Sequence, residues 1–223
     1  MAEAPACRRH DLVRVVPAAW DDLLRARPDL HGSDLLAGWA EAGHPLIVRR
    51  YHPGEARDAV PLGLPLPPSA GKRRIGLALP VAVLAPCPAP ELAGVTEVAP
   101  AAWRGALADL LRLGERFGLR PRPFGSLLWQ ALTGLPYLSD ASDLDLLWPV
   151  SGPVPPGFLA GLSALAETAP MRLDGEIVFP DGAGVQWREL LPGTGEAILK
   201  FLDRLELRRV DALLATASEE RAA

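Results

Sequence analysis

Two aspartates set two apart, Asp143 and Asp145, interrupt a stretch that otherwise reads as buried, with Leu144, Leu146 and Leu147 around them. In a strand, positions i and i+2 point to the same face, so this spacing predicts two carboxylates projecting together. Like charges held close repel each other, and burying them unpaired is costly. The simplest compensation is Mg²⁺, a hard cation that takes oxygen ligands and usually binds substrate phosphates as well. Upstream, Phe124-Gly125-Ser126 lies just before an apolar helical pattern. Glycine lets backbone approach a phosphate closely, the exposed N–H groups at a helix start suit an anion, and a serine hydroxyl adds one more donor. Together the two features point to phosphoryl or nucleotidyl transfer.

The bulk numbers narrow the setting. A chain of 223 residues has room for one large domain or two small ones. Its apolar fraction of 49% is ample for a core. A net charge of −4 and a pI of about 5.6 argue against broad nucleic-acid binding, while leaving room for a local basic pocket. Cys7 and Cys87 make no disulfide framework. Met1 to His10 lacks the apolar core of a signal peptide. Ile75 to Ala85, the most apolar run, is broken by Pro80 and is too short to span a bilayer. The expectation is a soluble cytoplasmic protein with no membrane partner.

Proline sets the domain boundary. Pro86, Pro88 and Pro90 fall within five residues, which excludes a helix interior or a central strand. A linker is therefore predicted at 86–98, between an accessory domain at 1–85 and a catalytic domain at 99–217, with a tail at 218–223. In the first domain, strands are predicted at His10 to Val15 and His44 to Arg50, and short helices at Pro17 to Leu24 and Ser33 to Ala42. In the second, Trp103, Leu107, Leu110, Leu111 and Phe117 mark one face of a helix that Gly118 stops. A short strand is expected at Leu119 to Phe124; Pro121 and Pro123 weaken it and suit an edge or irregular strand better. Then come a helix at Leu127 to Leu132, a strand at Asp143 to Val150, a helix at Phe158 to Glu167, and a hairpin around Pro180-Asp181-Gly182. Glu196 to Leu214 fits either a helix or two strands joined at Asp203.

The order strand, Gly-Ser turn, helix, Asp-x-Asp strand resembles the nucleotidyltransferase (polymerase β-like) fold. The run from Gly125 to Leu138, with Ser142-Asp143-Leu144-Asp145-Leu146-Leu147, is similar to the malonate decarboxylase holo-acyl carrier protein synthase family, the phosphoribosyl-dephospho-CoA transferases of MdcG type. His10-Asp11-Leu12-Val13, Gly43 to Arg50, Pro61 to Leu64, Asp174 to Val178 and Trp187 to Leu191 resemble the same family, so the likeness covers nearly the whole chain. It implies an α+β protein: a C-terminal nucleotidyltransferase domain with a mixed sheet and flanking helices, plus a smaller N-terminal α+β accessory domain. It also implies a donor, 2′-(5″-triphosphoribosyl)-3′-dephospho-CoA, and an acceptor, a serine of the acyl carrier subunit of malonate decarboxylase. The serine attacks the phosphorus nearest the ribose and pyrophosphate leaves. On this reading Asp143 and Asp145 bind Mg²⁺, and Gly125 and Ser126 hold the outer phosphates. A third carboxylate comes from a neighbouring strand, Asp174 first and Glu176 second.

Each assignment has a plainer alternative. Ser126 also suits an N-cap, and Asp174 the first position of an Asp-Gly turn. Arg49 and Arg50 are either an exposed strand end or phosphate ligands from the accessory domain. Lys200, a lone cation in an apolar stretch, either snorkels to solvent or neutralises a phosphate. Trp129 and Tyr137 suit a core as well as an adenine ring. Two other functions fit the pattern: a nucleotidyltransferase using an ordinary nucleoside triphosphate, and a non-catalytic module docking on decarboxylase subunits.

Overall fold

The computed structural model describes residues 7–214, which divide into two compact units, one ending at Ala89 and the other beginning at Pro90. The expected tail at 218–223 lies outside the described residues. The protein is α+β, with one antiparallel and one mixed sheet.

The first unit holds β1 (Leu12–Val15), α1 (Pro17–Ala26), α2 (Asp34–Ala37), β2 (Leu46–Val48), β3 (Val60–Pro65), β4 (Arg74–Leu79) and β5 (Leu84–Cys87). Its sheet order is β4-β3-β2-β1-β5. Trp20 of α1 and Trp39 are both fully buried, and each indole N–H finds a carbonyl, Leu36 and Pro45 respectively. A buried indole needs such a partner, so these bonds fix how the helical segment covers the strands. The expected helix at Ser33 to Ala42 is shorter. Ser33 caps α2 through Leu36 N–H, but the helix ends at Ala37, with Gly38 as its C-cap. Pro86, expected in a linker, stands instead in β5, paired with β1 in antiparallel register. An edge strand tolerates proline because one side of it has no ladder partner to satisfy. Residues 92–98 are likewise not free linker but a 3₁₀ helix whose Leu92 and Val95 enter the core of the second unit.

The second unit contains α3 (Arg104–Arg116), β6 (Arg122–Phe124), α4 (Gly125–Thr133), β7 (Leu144–Pro149), α5 (Phe158–Thr168), β8 (Leu173–Val178), β9 (Gly184–Gln186), β10 (Glu196–Lys200) and β11 (Leu205–Arg209). The strands run in the order β11-β10-β9-β8-β7-β6. Only β7 and β8 are parallel, joined through α5, and the other neighbours are antiparallel. The proline-bearing β6 sits at one edge, where its missing donor costs least. The ambiguous region after Glu196 resolves as the hairpin β10–β11.

Alternation along the strands sorts the two faces. Leu144, Leu146 and Trp148 of β7, Leu173 and Ile177 of β8, and Ala197 and Leu199 of β10 belong to the core. They share it with Leu107 and Leu110 of α3 and Phe158 and Leu162 of α5. The intervening positions, Asp145, Asp174, Glu176 and Lys200, therefore project from the opposite face.

Candidate active site

The pairing of β7 with β8 brings the acidic residues together. Asp145 stands opposite Asp174 in parallel register, on neighbouring strands about 4.8 Å apart. Phe124, immediately before the Gly-Ser pair, stands opposite Asp145 on its other side. Three separated sequence segments thus meet at one point of the sheet. Asp143 lies one residue before β7, next to the ladder bond from Leu144 N–H to the Arg172 carbonyl.

Gly125 explains how the carboxylate of Asp145 fits. Its backbone is left-handed, with φ +65°, and a Cβ there would land on Asp145 Oδ2. The missing side chain therefore gives the aspartate its space, a reason sequence reading did not supply. The N–H groups of the first turn of α4 have no intrahelical acceptors, which suits an anion nearby. Ser126 lies inside that turn and is not its cap: the N-cap is Phe124, without a capping side chain. The serine hydroxyl has no hydrogen-bond partner among the described residues.

Asp174 is held from several directions. Its Oδ1 accepts the Gly175 N–H at 2.7 Å and the Gln186 Nε2 at 2.6 Å. The Gln186 Oε1 in turn accepts the Arg188 N–H at 2.8 Å, tying the amide to the turn after β9. With Oδ1 saturated, Oδ2 turns toward Arg172, whose Nη2 is 3.2 Å away. The same guanidinium reaches Asp143 Oδ2 through Nη1, at 3.7 Å. Neither Gln186 nor Arg172 was anticipated from the sequence, because a glutamine in a strand and an arginine before one carry no motif. Asp174-Gly175 is not a turn but the middle of β8. Gly175 has φ +143°, and a Cβ there would strike the Leu146 carbonyl of β7. The glycine lets the two acidic strands approach.

Glu176 lies two residues along the same face but in a different setting. It is only 8% exposed, and its Oε1 receives the Lys200 ammonium at 3.3 Å. Lys200 is thus engaged with a carboxylate rather than merely reaching for solvent. Arg49 is also engaged, inside the first unit. It makes a two-pronged bond to Glu55 at 2.8 and 2.6 Å and donates further to the Arg50 and Leu62 carbonyls. That guanidinium holds the Glu55 carboxyl down to about 2. Arg50, just beyond β2, is half-buried. Trp129 and Tyr137 are buried with ring centroids 6.2 Å apart, and burial raises the Tyr137 pKa, so both read as core.

Among the described residues, no three Asp, Glu, His or Cys side chains converge closely enough to hold a metal alone. The donor set is oxygen-rich, with two facing carboxylates and a glycine that clears space beside one of them. That fits Mg²⁺, which demands few protein ligands and completes its shell with water and phosphate. No helix among the described residues is long and apolar enough to cross a membrane.

An oxygen-rich pair beside a helix start has the chemistry to take a cation and an anion together, and sequence comparison supplies the family. The profile described as phosphoribosyl-dephospho-CoA transferase MdcG C-terminal domain matches residues 91–211, and that of the MdcG N-terminal domain matches residues 8–90. A phosphoribosyl-dephospho-CoA transferase of Bradyrhizobium diazoefficiens is 44% identical over 89% of this chain and 88% of its own. Proteins of the same name from Xanthomonas euvesicatoria and Pseudomonas aeruginosa are 44% and 31% identical, over 74% and 80% of this chain and 78% and 86% of theirs. No solved structure matches. The chain belongs to the phosphoribosyl-dephospho-CoA transferase family, and it is an enzyme of the transferase class.

Proposed function

We propose that the second unit is a nucleotidyltransferase-type catalytic domain acting on a carrier protein in the cytoplasm. It moves phosphoribosyl-dephospho-CoA from its triphosphate donor to a serine of the acyl carrier subunit of malonate decarboxylase. The observation that carries this reading is the register of Asp145 against Asp174, beside a left-handed glycine whose missing side chain leaves room for the Asp145 carboxylate. Asp143, Asp145 and Asp174 would hold Mg²⁺ jointly with donor phosphate oxygens and water, since the three carboxylates do not converge to hold it alone. When bound there, the ion supplies charge neutralisation on the donor phosphates and on departing pyrophosphate.

The chain's own groups do the rest. The first turn of α4, with the Ser126 hydroxyl, offers donors to the outer phosphates. Gln186 and the Gly175 N–H fix the Asp174 carboxylate, so that one oxygen faces the reaction. The carrier serine oxygen bonds to the phosphorus nearest the ribose, the bond to pyrophosphate breaks, and the serine proton passes to a carboxylate of this set. Most of the acceleration then comes from positioning and charge. Asp174 suits the third-carboxylate role better than Glu176: it faces Asp145 and is partly exposed, whereas Glu176 is sequestered against Lys200.

The test is the mass gained by apo carrier protein incubated with enzyme, Mg²⁺ and either donor. Gain of one phosphoribosyl-dephospho-CoA from the triphosphoribosyl donor is expected. Gain of a nucleoside monophosphate from an ordinary triphosphate, and none from the triphosphoribosyl donor, would overturn the proposal.

A further inference from the structure

Among the described residues, Arg172 is the cation that reaches two of the three aspartates assigned above to metal. Its guanidinium contacts Asp174 Oδ2 at 3.2 Å and Asp143 Oδ2 at 3.7 Å, one nitrogen to each. Two cations drawn to the same carboxylate oxygens repel each other and compete for them, so each weakens the hold of the other. An arginine that merely stabilised the fold would be expected to stay in place, as Arg49 is, with two-pronged contacts and extra carbonyl partners. Arg172 instead has a side chain 64% exposed, with single-pronged contacts. Exposed pairs of this kind contribute about 0–1 kcal/mol, so displacement costs little. A guanidinium released beside a polyphosphate meets a strong acceptor, and its planar fork matches phosphate geometry.

We propose that Arg172 is an exchangeable counter-charge: it neutralises Asp143 and Asp174 in the free enzyme and transfers to the donor's phosphates once the divalent cation is bound. The inference rests on the metal reading above and adds to it a phosphate-binding residue. It makes a prediction of opposite sign in two binding measurements. In Arg172→Gln, the competing cation is gone, so Mn²⁺, the paramagnetic probe for the metal, binds about threefold more tightly in the absence of donor. Inorganic triphosphate, measured by calorimetry with saturating Mg²⁺, binds about tenfold more weakly, and the KM for the triphosphoribosyl donor rises in parallel while kcat changes little.

A structural role would not move the two affinities in opposite directions. Unchanged or weaker Mn²⁺ binding in Arg172→Gln, or unchanged triphosphate binding, overturns the proposal. Asp145→Asn and Asp174→Asn serve as the separate control on the metal reading. If neither changes Mn²⁺ binding to the otherwise native enzyme, that reading fails and takes this one with it. If both weaken it and Arg172→Gln behaves as native, only the role of Arg172 is lost.

Discussion

The two units treat charge in opposite ways. In the first, Arg49 and Glu55 satisfy each other through two short bonds, with backbone carbonyls taking the remaining donors. In the second, several carboxylates share one face of the sheet, and the ion pairs of Asp143 and Asp174 are single contacts to an exposed arginine. Asp145 and Asp174 face each other across parallel strands, and Arg172, which pairs with Asp174 and Asp143, is largely exposed. A closed pair serves stability. An array of carboxylates on an open sheet face costs stability and is retained for chemistry, since like charges in one place favour a bound cation. The two units also share a device: in each, residues that break local rules, Pro86 in β5 and Pro123 in β6, sit on sheet edges.

The strongest way to break this contrast is Asp145→Asn. Losing one carboxylate should remove several kcal/mol of transition-state stabilisation, a rate loss of about 10³-fold, with the melting temperature unchanged or raised. Measured carrier modification near the native rate would place the chemistry elsewhere. Gly125→Ala comes next. Its Cβ would displace the Asp145 carboxylate and strain a left-handed residue by roughly 1–2 kcal/mol. Misplacement on this scale should cost about 10²-fold in kcat. Native activity in that variant would show that Asp145 need not occupy the space beside Gly125.

Gln186→Met removes the donor that orients Asp174 and should weaken activity and metal dependence about tenfold. A Mg²⁺ titration with an unchanged midpoint would demote Gln186 to packing. The smallest effect on activity belongs to the first unit. Arg49→Met should destabilise the fold by about 2 kcal/mol while leaving kcat near native in the surviving folded enzyme. Its acid dependence sharpens the contrast. The Glu55 carboxyl falls from 4.5 to about 2 on folding, so its stabilisation is complete above pH 4.5 and is lost as pH drops toward 2. Acid unfolding of Arg49→Met should lack that slope. If the variant instead keeps native stability but loses donor binding, Arg49 belongs with the phosphate ligands.

Much of the second unit's architecture was legible from local pattern. The i, i+2 spacing of Asp143 and Asp145 within leucines implied a strand with acidic residues on one side; β7 begins at Leu144, with Leu144 and Leu146 in the core and Asp145 on the other face. The prolines around Phe124 implied an edge or an irregular strand, and β6 is an edge. What escaped was non-local. Asp174-Gly175 carries the composition of a turn, and only the approach of Leu146 across the ladder shows why glycine stands mid-strand. Pro86 looked like linker because nothing in sequence says that β1 has an open edge for it to pair with. Gln186 and Arg172 acquire meaning only from their distance to Asp174. The Arg49–Glu55 pair was hidden for the same reason, since six residues of separation do not predict a bond.

The most direct test is to crystallise the enzyme with Mn²⁺ and the triphosphoribosyl donor and locate the metal from its anomalous signal. A peak is expected within about 2.5 Å of carboxylate oxygens from both Asp145 and Asp174, with donor phosphate oxygens completing the shell. A metal bound elsewhere on the molecule, or a donor triphosphate that does not approach the first turn of α4, would contradict it.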